Sequence, residues 1–230
     1  MDPSLLAFVI EGVRLDHLDG ASPGPRLCRA ALDLLGMEAV AIMLRGDDGR
    51  GSPFGWSDDV VRELEDTQFT LGEGPGIDAH SSGRPSAEPD LAGSAQWPVF
   101  APAAVAAGML AGFGFPLSVG AVRLGALDLY RKRPGPLTDV QVADAWALAG
   151  IITEALLVLQ AQATPGAVPV EIDLAENLRA PVHQASGMLS ERFDIKIADA
   201  LVRLRAQAYA AGRPINDVAA DVVSGVLKIP

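Results

Sequence analysis

The side chains best equipped for chemistry in this chain of 230 residues are three histidines, one cysteine, a glycine-rich run and a set of C-terminal arginines. His17, His80 and His183 are scattered, without metal-ligand spacing and without a Ser or Cys nucleophile paired to them in the sequence. Cys28 is the only cysteine, which excludes an intrachain disulfide and any multi-cysteine metal site. The run LGEGPG (Leu71–Gly76) has the glycines of a phosphate loop. It lacks the terminal Gly-Lys-Ser/Thr of a P-loop and the G-x-G-x-x-G opening of a dinucleotide site. No catalytic residue, no metal ligand and no enzyme activity are therefore expected.

Binding chemistry is better represented. Glycines 72, 74 and 76 beside the aromatic residues Trp56, Phe69, Trp97, Phe100, Phe113 and Phe115, with Asp78 and Asp90 as polar anchors, are the materials of a concave, mostly apolar ligand site. Taken alone, each of those aromatics is better explained as core. In HQASGMLSERF (183–193) three near-bare positions, Ala185, Ser186 and Gly187, interrupt an apolar helix. With Ala200 and Ala219 they place small residues on three successive helices, where an RNA loop can approach the backbone closely. Arg203, Arg205 and Arg213 supply phosphate contacts, and Tyr209 offers a ring to an unstacked base. Tight packing of three helices explains the same alanines.

These side chains need a scaffold of about two domains, given the length and a composition of 49% hydrophobic and 20% charged residues. The net charge of −11 argues against a polycation that coats nucleic acid. Nearly all the acidity precedes residue 163, and the segment from Pro181 onward is close to neutral. Apolar spacing predicts helices over 3–19 and 24–35, a buried strand over 37–44, a turn at 46–49, a strand near 52–56 and a charged helix near 58–66. A long Gly- and Pro-rich loop over 68–91 comes next, then a short helix over 97–107 and a hairpin of strands 109–119 and 121–130 around Gly120. Along AVRLGALDLY the apolar face switches midway, which a bulge near Gly125 explains. The sum is an α+β domain with an antiparallel sheet.

A long helix over 138–162 follows, capped by Thr138. Leu148, Ile152, Ala155 and Leu159 recur on one face, while Trp146, Ala149, Ile151 and Leu156 lie around the side, an arrangement expected of a coiled-coil seam between two protomers, the alternative being one helix buried on both sides within a single chain. Two prolines and a glycine in 163–169 mark a linker, so the expected division is a sensor domain at 1–162 and a helical domain at 170–230. The latter is read as helices over 170–193, 196–211 and 214–226, with a kink or restart near Ala180 because of Pro181. Without a signal peptide or an apolar run of about 18 residues, a cytoplasmic protein with no membrane contact is expected.

The segment Val182–Val223 closely resembles an ANTAR domain, through Gln184-Ala185-Ser186-Gly187-Met188, Ala200-Leu201, Leu204-Arg205, Ala208-Tyr209, Arg213 and Asp217-Val218-Ala219. The resemblance implies a three-helix RNA-binding module that grips tandem stem-loops and keeps a transcription terminator from forming. Residues 5–162 look like a GAF domain of the kind fused to such modules in actinobacteria. The matching stretches are LGEGPGIDA (71–79), SGRP (82–85), WPVFAPAA (97–104), FGFPLSVGAVRLGALDLY (113–130) and RPGPLTD (133–139). That likeness implies a six-stranded antiparallel sheet with flanking helices and a small-molecule ligand, which the fold itself does not name. The family's lid commonly carries Cys where Gly76 stands here, so no covalent bilin is expected. Together the two resemblances imply a homodimeric, ligand-responsive antitermination regulator. The rival from another class is a sensor whose C-terminal helices recruit a protein and never touch RNA.

Overall fold

A computed structural model describes residues 23–45, 51–162 and 179–229, with side chains as far as Leu159 in the second stretch. Helix α1 (Pro23–Leu35) leads into strands β1 (Ala39–Arg45) and β2 (Gly51–Trp56), then α2 (Asp59–Leu71) and α3 (Pro75–Ser82). Strand β3 (Ser86–Glu88), α4 (Phe100–Ala106), β4 (Ala111–Val119), β5 (Val122–Arg131) and α5 (Asp139–Gln162) complete the first unit. Three helices follow: α6 (Ala180–Phe193), α7 (Ile197–Ala211) and α8 (Ile215–Val223). The α+β expectation holds, with five strands among the described residues in the antiparallel order β2-β1-β5-β4-β3.

Strand alternation sorts the core into two layers. In β1, Val40 and Ile42 face α1 and α5, where they meet Phe113, Phe115, Leu127, Leu129, Ile152 and Leu156. Ala39 and Ala41 face the other way, toward α2 and α4, and pack with Tyr130, Leu64, Trp97 and Phe100. The bulge expected near Gly125 is present: Leu117 pairs with Gly125 and Ser118 with Arg123, which leaves Leu124 as the extra residue. Gly125 is required because a Cβ there would overlap the carbonyl of Met43 on β1. Gly125→Ala must separate β1 from β5, so calorimetry should find a loss of about 2 kcal/mol or more. An unchanged melting temperature would contradict this packing.

The 68–91 stretch is not one loop. Helix α2 continues to Leu71, Pro75 sits in the first turn of α3, and β3 pairs with β4. Proline starts a helix as readily as it breaks one, and an eight-residue helix is too short for a 3.6-residue apolar pattern to stand out. Helix α5 starts as expected, with the Gln141 amide donating to Thr138 Oγ1 at 3.2 Å. Its recurring set Leu148, Ile152, Ala155 and Leu159 is buried, and so are Ala149, Ile151 and Leu156. Of the flanking set only Trp146 stays exposed, joined by Leu157 and Val158. Contrary to the expectation of no apolar run of about 18 residues, the span Asp139–Leu159 is long and apolar enough to cross a membrane, and half of its most apolar window is buried within the chain.

Helix α6 begins at Ala180 with Pro181 in its first turn, where the restart was expected. The remainder of the 170–193 helix, the 3–19 helix and the 46–49 turn lie outside the described residues.

Candidate functional site

In the helical bundle Ala185, Ala200 and Ala219 are completely buried and pack with Val182, Leu189, Leu201, Leu204 and Val218. Their smallness sets how closely the three helices approach. Ser186 is buried as well. These four therefore have no surface to offer RNA in this arrangement, and the packing explanation of the bare positions accounts for them. Gly187 is half-exposed, and Arg203, Tyr209 and Arg213 are exposed. They do not form one continuous patch. The Arg203 guanidinium lies 4.6 Å above the Phe193 ring on the α6 side, while Tyr209 and Arg213 sit at the far end of α7, where Arg213 pairs with Asp221 at 2.8 Å.

Arg205 is elsewhere. Its Nε donates to the Phe69 carbonyl at 2.8 Å and its guanidinium lies 5.2 Å from the Phe69 ring. Phe69 is on α2 of the first unit, yet it is completely buried among the C-terminal apolar residues. Arg179, just before α6, stacks over the same ring at 3.8 Å and pairs with Asp66 at 2.9 Å. Two cations thus grip one aromatic ring and form a joint between the first unit and the bundle. Burial lowers the pKa of both guanidinium groups to about 10; Asp66 opposes the shift at Arg179, and neighbouring cations add to it at Arg205.

One helical turn before Phe69 on α2 lies a group that sequence reasoning missed. Glu65, Gln68, Tyr130 and Asp128 are all buried between α2, α3 and the sheet. Gln68 Nε2 donates to Glu65 Oε1 at 2.7 Å, Tyr130 donates its hydroxyl to the same oxygen at 2.9 Å, and the Gly76 amide donates to Gln68 Oε1 at 3.0 Å. Arg45 approaches Glu65 at 3.8 Å. A Cβ on Gly76 would overlap the Asp128 carboxylate, so glycine at this lid position lets α3 close over the acid. Burial pushes the Asp128 carboxyl well above the usual range, repulsion from Glu65 adds to this, and Arg45 opposes it. Burial likewise raises Glu65 against the pull of Arg45. An aspartate in the middle of the apolar run ALDLY was the available signal.

The aromatic residues expected to line one ligand pocket are divided by the sheet. Phe113 and Phe115 belong to the α1–α5 layer, Trp97 and Phe100 to the α2–α4 layer, with Trp56 packed on the edge of the latter, and Phe69 to the joint. Alternation along β4 dictates the separation, since Phe113 and Phe115 stand opposite Leu129 and Leu127 on that layer's face. Asp78 accepts from Trp97 Nε1 at 2.9 Å and so fixes the α3 side of the core. Asp90 is exposed in a turn, where it accepts from the Gly93 amide. A shallow cleft of about 590 Å³ lined by Asp78, Ser82, Arg84 and Ser86 opens beside α3. Cys28 is buried, which pushes its thiol up and leaves it inert.

Comparison with known proteins follows the same division. The ANTAR domain family matches residues 173–223. No curated protein matches the chain in sequence. Among solved structures, the domain of a protein described as a two-component sensor histidine kinase from Sinorhizobium meliloti is similar at TM-score 0.50 and 16% identity, over 60% of this chain and 90% of that one. A GAF domain from a phosphoenolpyruvate-protein phosphotransferase of Coxiella burnetii is similar at TM-score 0.49 and 15% identity, over 69% of this chain and 94% of that one. A GAF domain region from Geobacter sulfurreducens gives 0.48 and 18%, over 58% and 89%. ANTAR domains are RNA-binding antitermination modules. Residues 173–223 thus match the ANTAR domain, and the first unit shares the fold of the sensor-kinase domain.

Proposed function

We propose that this chain is a cytoplasmic, homodimeric regulator whose ANTAR domain binds tandem stem-loops in nascent RNA and promotes read-through, under control of a small molecule sensed by the N-terminal domain. The single observation that carries the ligand-responsive part is the joint at Phe69. One helix, α2, contributes Glu65 and Gln68 to the buried polar group and, one turn later, the ring that holds Arg179 and Arg205. A ligand that repacks the first end shifts the second, and population shift then sets how often Arg205 is released. The division into a sensor at 1–162, a linker at 163–169 and an RNA module at 170–230 belongs to this reading. Trp146, Leu157 and Val158, exposed on α5, supply the apolar face for a second protomer.

The test is binding to an RNA carrying two stem-loops. Tyr209→Ala should lower affinity about fivefold or more through lost stacking. Arg203→Ala should weaken binding across sequences and reduce its salt dependence by about one phosphate contact. Wild-type affinity in both variants would remove these side chains from the interface, and capture of a protein with no RNA would favour the protein-recruiting alternative.

A further inference from the structure

Of the three bare positions in α6, Ala185 and Ser186 are sealed inside the bundle, but a Cβ on Gly187 would meet nothing within 4 Å. Gly187 borders a cleft of about 630 Å³ between α6 and the segment after α8, floored by Leu189, Val222 and Ile229. Its rim carries Met188, Glu191, Arg192 and Lys228. The Arg192 guanidinium is fixed there, 5.0 Å from the Phe193 ring and donating to the Ile229 carbonyl at 3.3 Å. The same ring holds Arg203, which extends the basic edge. Glycine inside a helix costs stability relative to alanine, and no backbone contact at this position demands it. What its bareness does is keep the cleft open.

We infer that this cleft captures one unstacked base from an RNA loop, an inference that rests on the RNA-binding reading above. The occupant follows from the chemistry of the walls. A base is a flat, largely apolar body flanked by phosphates, which suits an apolar floor with Arg192 and Lys228 at its edge in a chain otherwise strongly acidic. A purely apolar peptide would leave those cations unused, and an acidic one would leave the floor uncovered. Glu191 on the rim disfavours a phosphate seated deep in the cleft and accepts a hydrogen bond from an exocyclic amine.

Gly187→Leu tests this cleanly, because the new side chain enters open space and a helix gains from losing glycine; its melting temperature should equal or exceed that of wild type. The RNA is a hairpin selected by the wild-type full chain from a pool with randomised loops, and each loop position is then replaced in turn by an abasic nucleotide. One abasic position should lower wild-type affinity about tenfold or more. Gly187→Leu should bind the intact hairpin as weakly as wild type binds that abasic one, with no further loss when both changes are combined. Equal binding of the intact hairpin by wild type and variant, or equal losses on intact and abasic RNA, would overturn the cleft assignment while leaving RNA binding in place. Failure of the wild type to retain any hairpin would overturn both.

Discussion

Phe69→Ala lowers the stability of the chain by about 3 to 5 kcal/mol and at the same time raises its affinity for hairpin RNA. The first effect follows from removing a completely buried ring from the joint. Arg179 loses the face it stacks on at 3.8 Å, and this nearly fully buried cation keeps Asp66 and backbone carbonyls as partners among the described residues. The second effect follows from Arg205, whose guanidinium is held by the ring and by the Phe69 carbonyl. With the ring gone only the hydrogen bond to the backbone carbonyl restrains it among the described residues, so it reaches phosphate more often. Phe69→Leu separates the two effects: it retains apolar volume, so stability falls less, yet it lacks the quadrupole that attracts both cations. Urea unfolding and RNA titration of the same samples provide the check. Affinity that falls in step with stability in both variants would mean that the joint is structural and restrains nothing.

The buried acid pair gives the second large effect. In the folded chain Asp128 holds its proton well above the usual carboxylate range, because burial desolvates the anion and Glu65 repels it. In the unfolded chain the same group ionises near pH 4. The folded state therefore keeps a proton that the unfolded state releases. Its stabilising contribution is complete below about pH 4 and is lost as pH rises toward the folded value, at up to about 1.4 kcal/mol per pH unit for each proton. Asp128→Asn keeps the shape and cannot ionise, so it should melt higher than wild type at pH 8, with the difference shrinking toward pH 5. Parallel stability profiles for the two proteins would show that this carboxyl is not protonated in the fold. Because Glu65 precedes Phe69 by one turn of α2, the same profile should appear in RNA affinity if the polar group and the joint are coupled.

The parts of this architecture that could be read in advance are those dictated by local patterns. Apolar runs bounded by turn residues marked the strands, the capping threonine marked the start of α5, and the apolar switch along AVRLGALDLY marked the bulge that the β4–β5 register contains. Helix α3 was missed because its eight residues hide among glycines and a proline, although that proline is where the helix starts. The candidate site was legible as residue types and not as an arrangement. Arginine chemistry near position 205 was visible, but its partner, Phe69, lies 136 residues away and reads in the sequence as part of the 68–91 loop and as a wall of the ligand site. The small residues at 185, 186, 200 and 219 illustrate the same limit. A bare helix face suits either a partner helix or a ligand, and only the three-dimensional neighbours decide which; they turned out to be helices for those four and open space for Gly187.

The most direct test of the central claim is ultraviolet crosslinking of the full chain in its own cells, with sequencing of the recovered RNA and mapping of the crosslinked peptides. Leader transcripts containing paired stem-loops should be recovered, attached to peptides from α6, α7 and α8, with more from Phe69→Leu than from wild type. Recovery of a protein partner on those helices, with no RNA from either form, would contradict the claim.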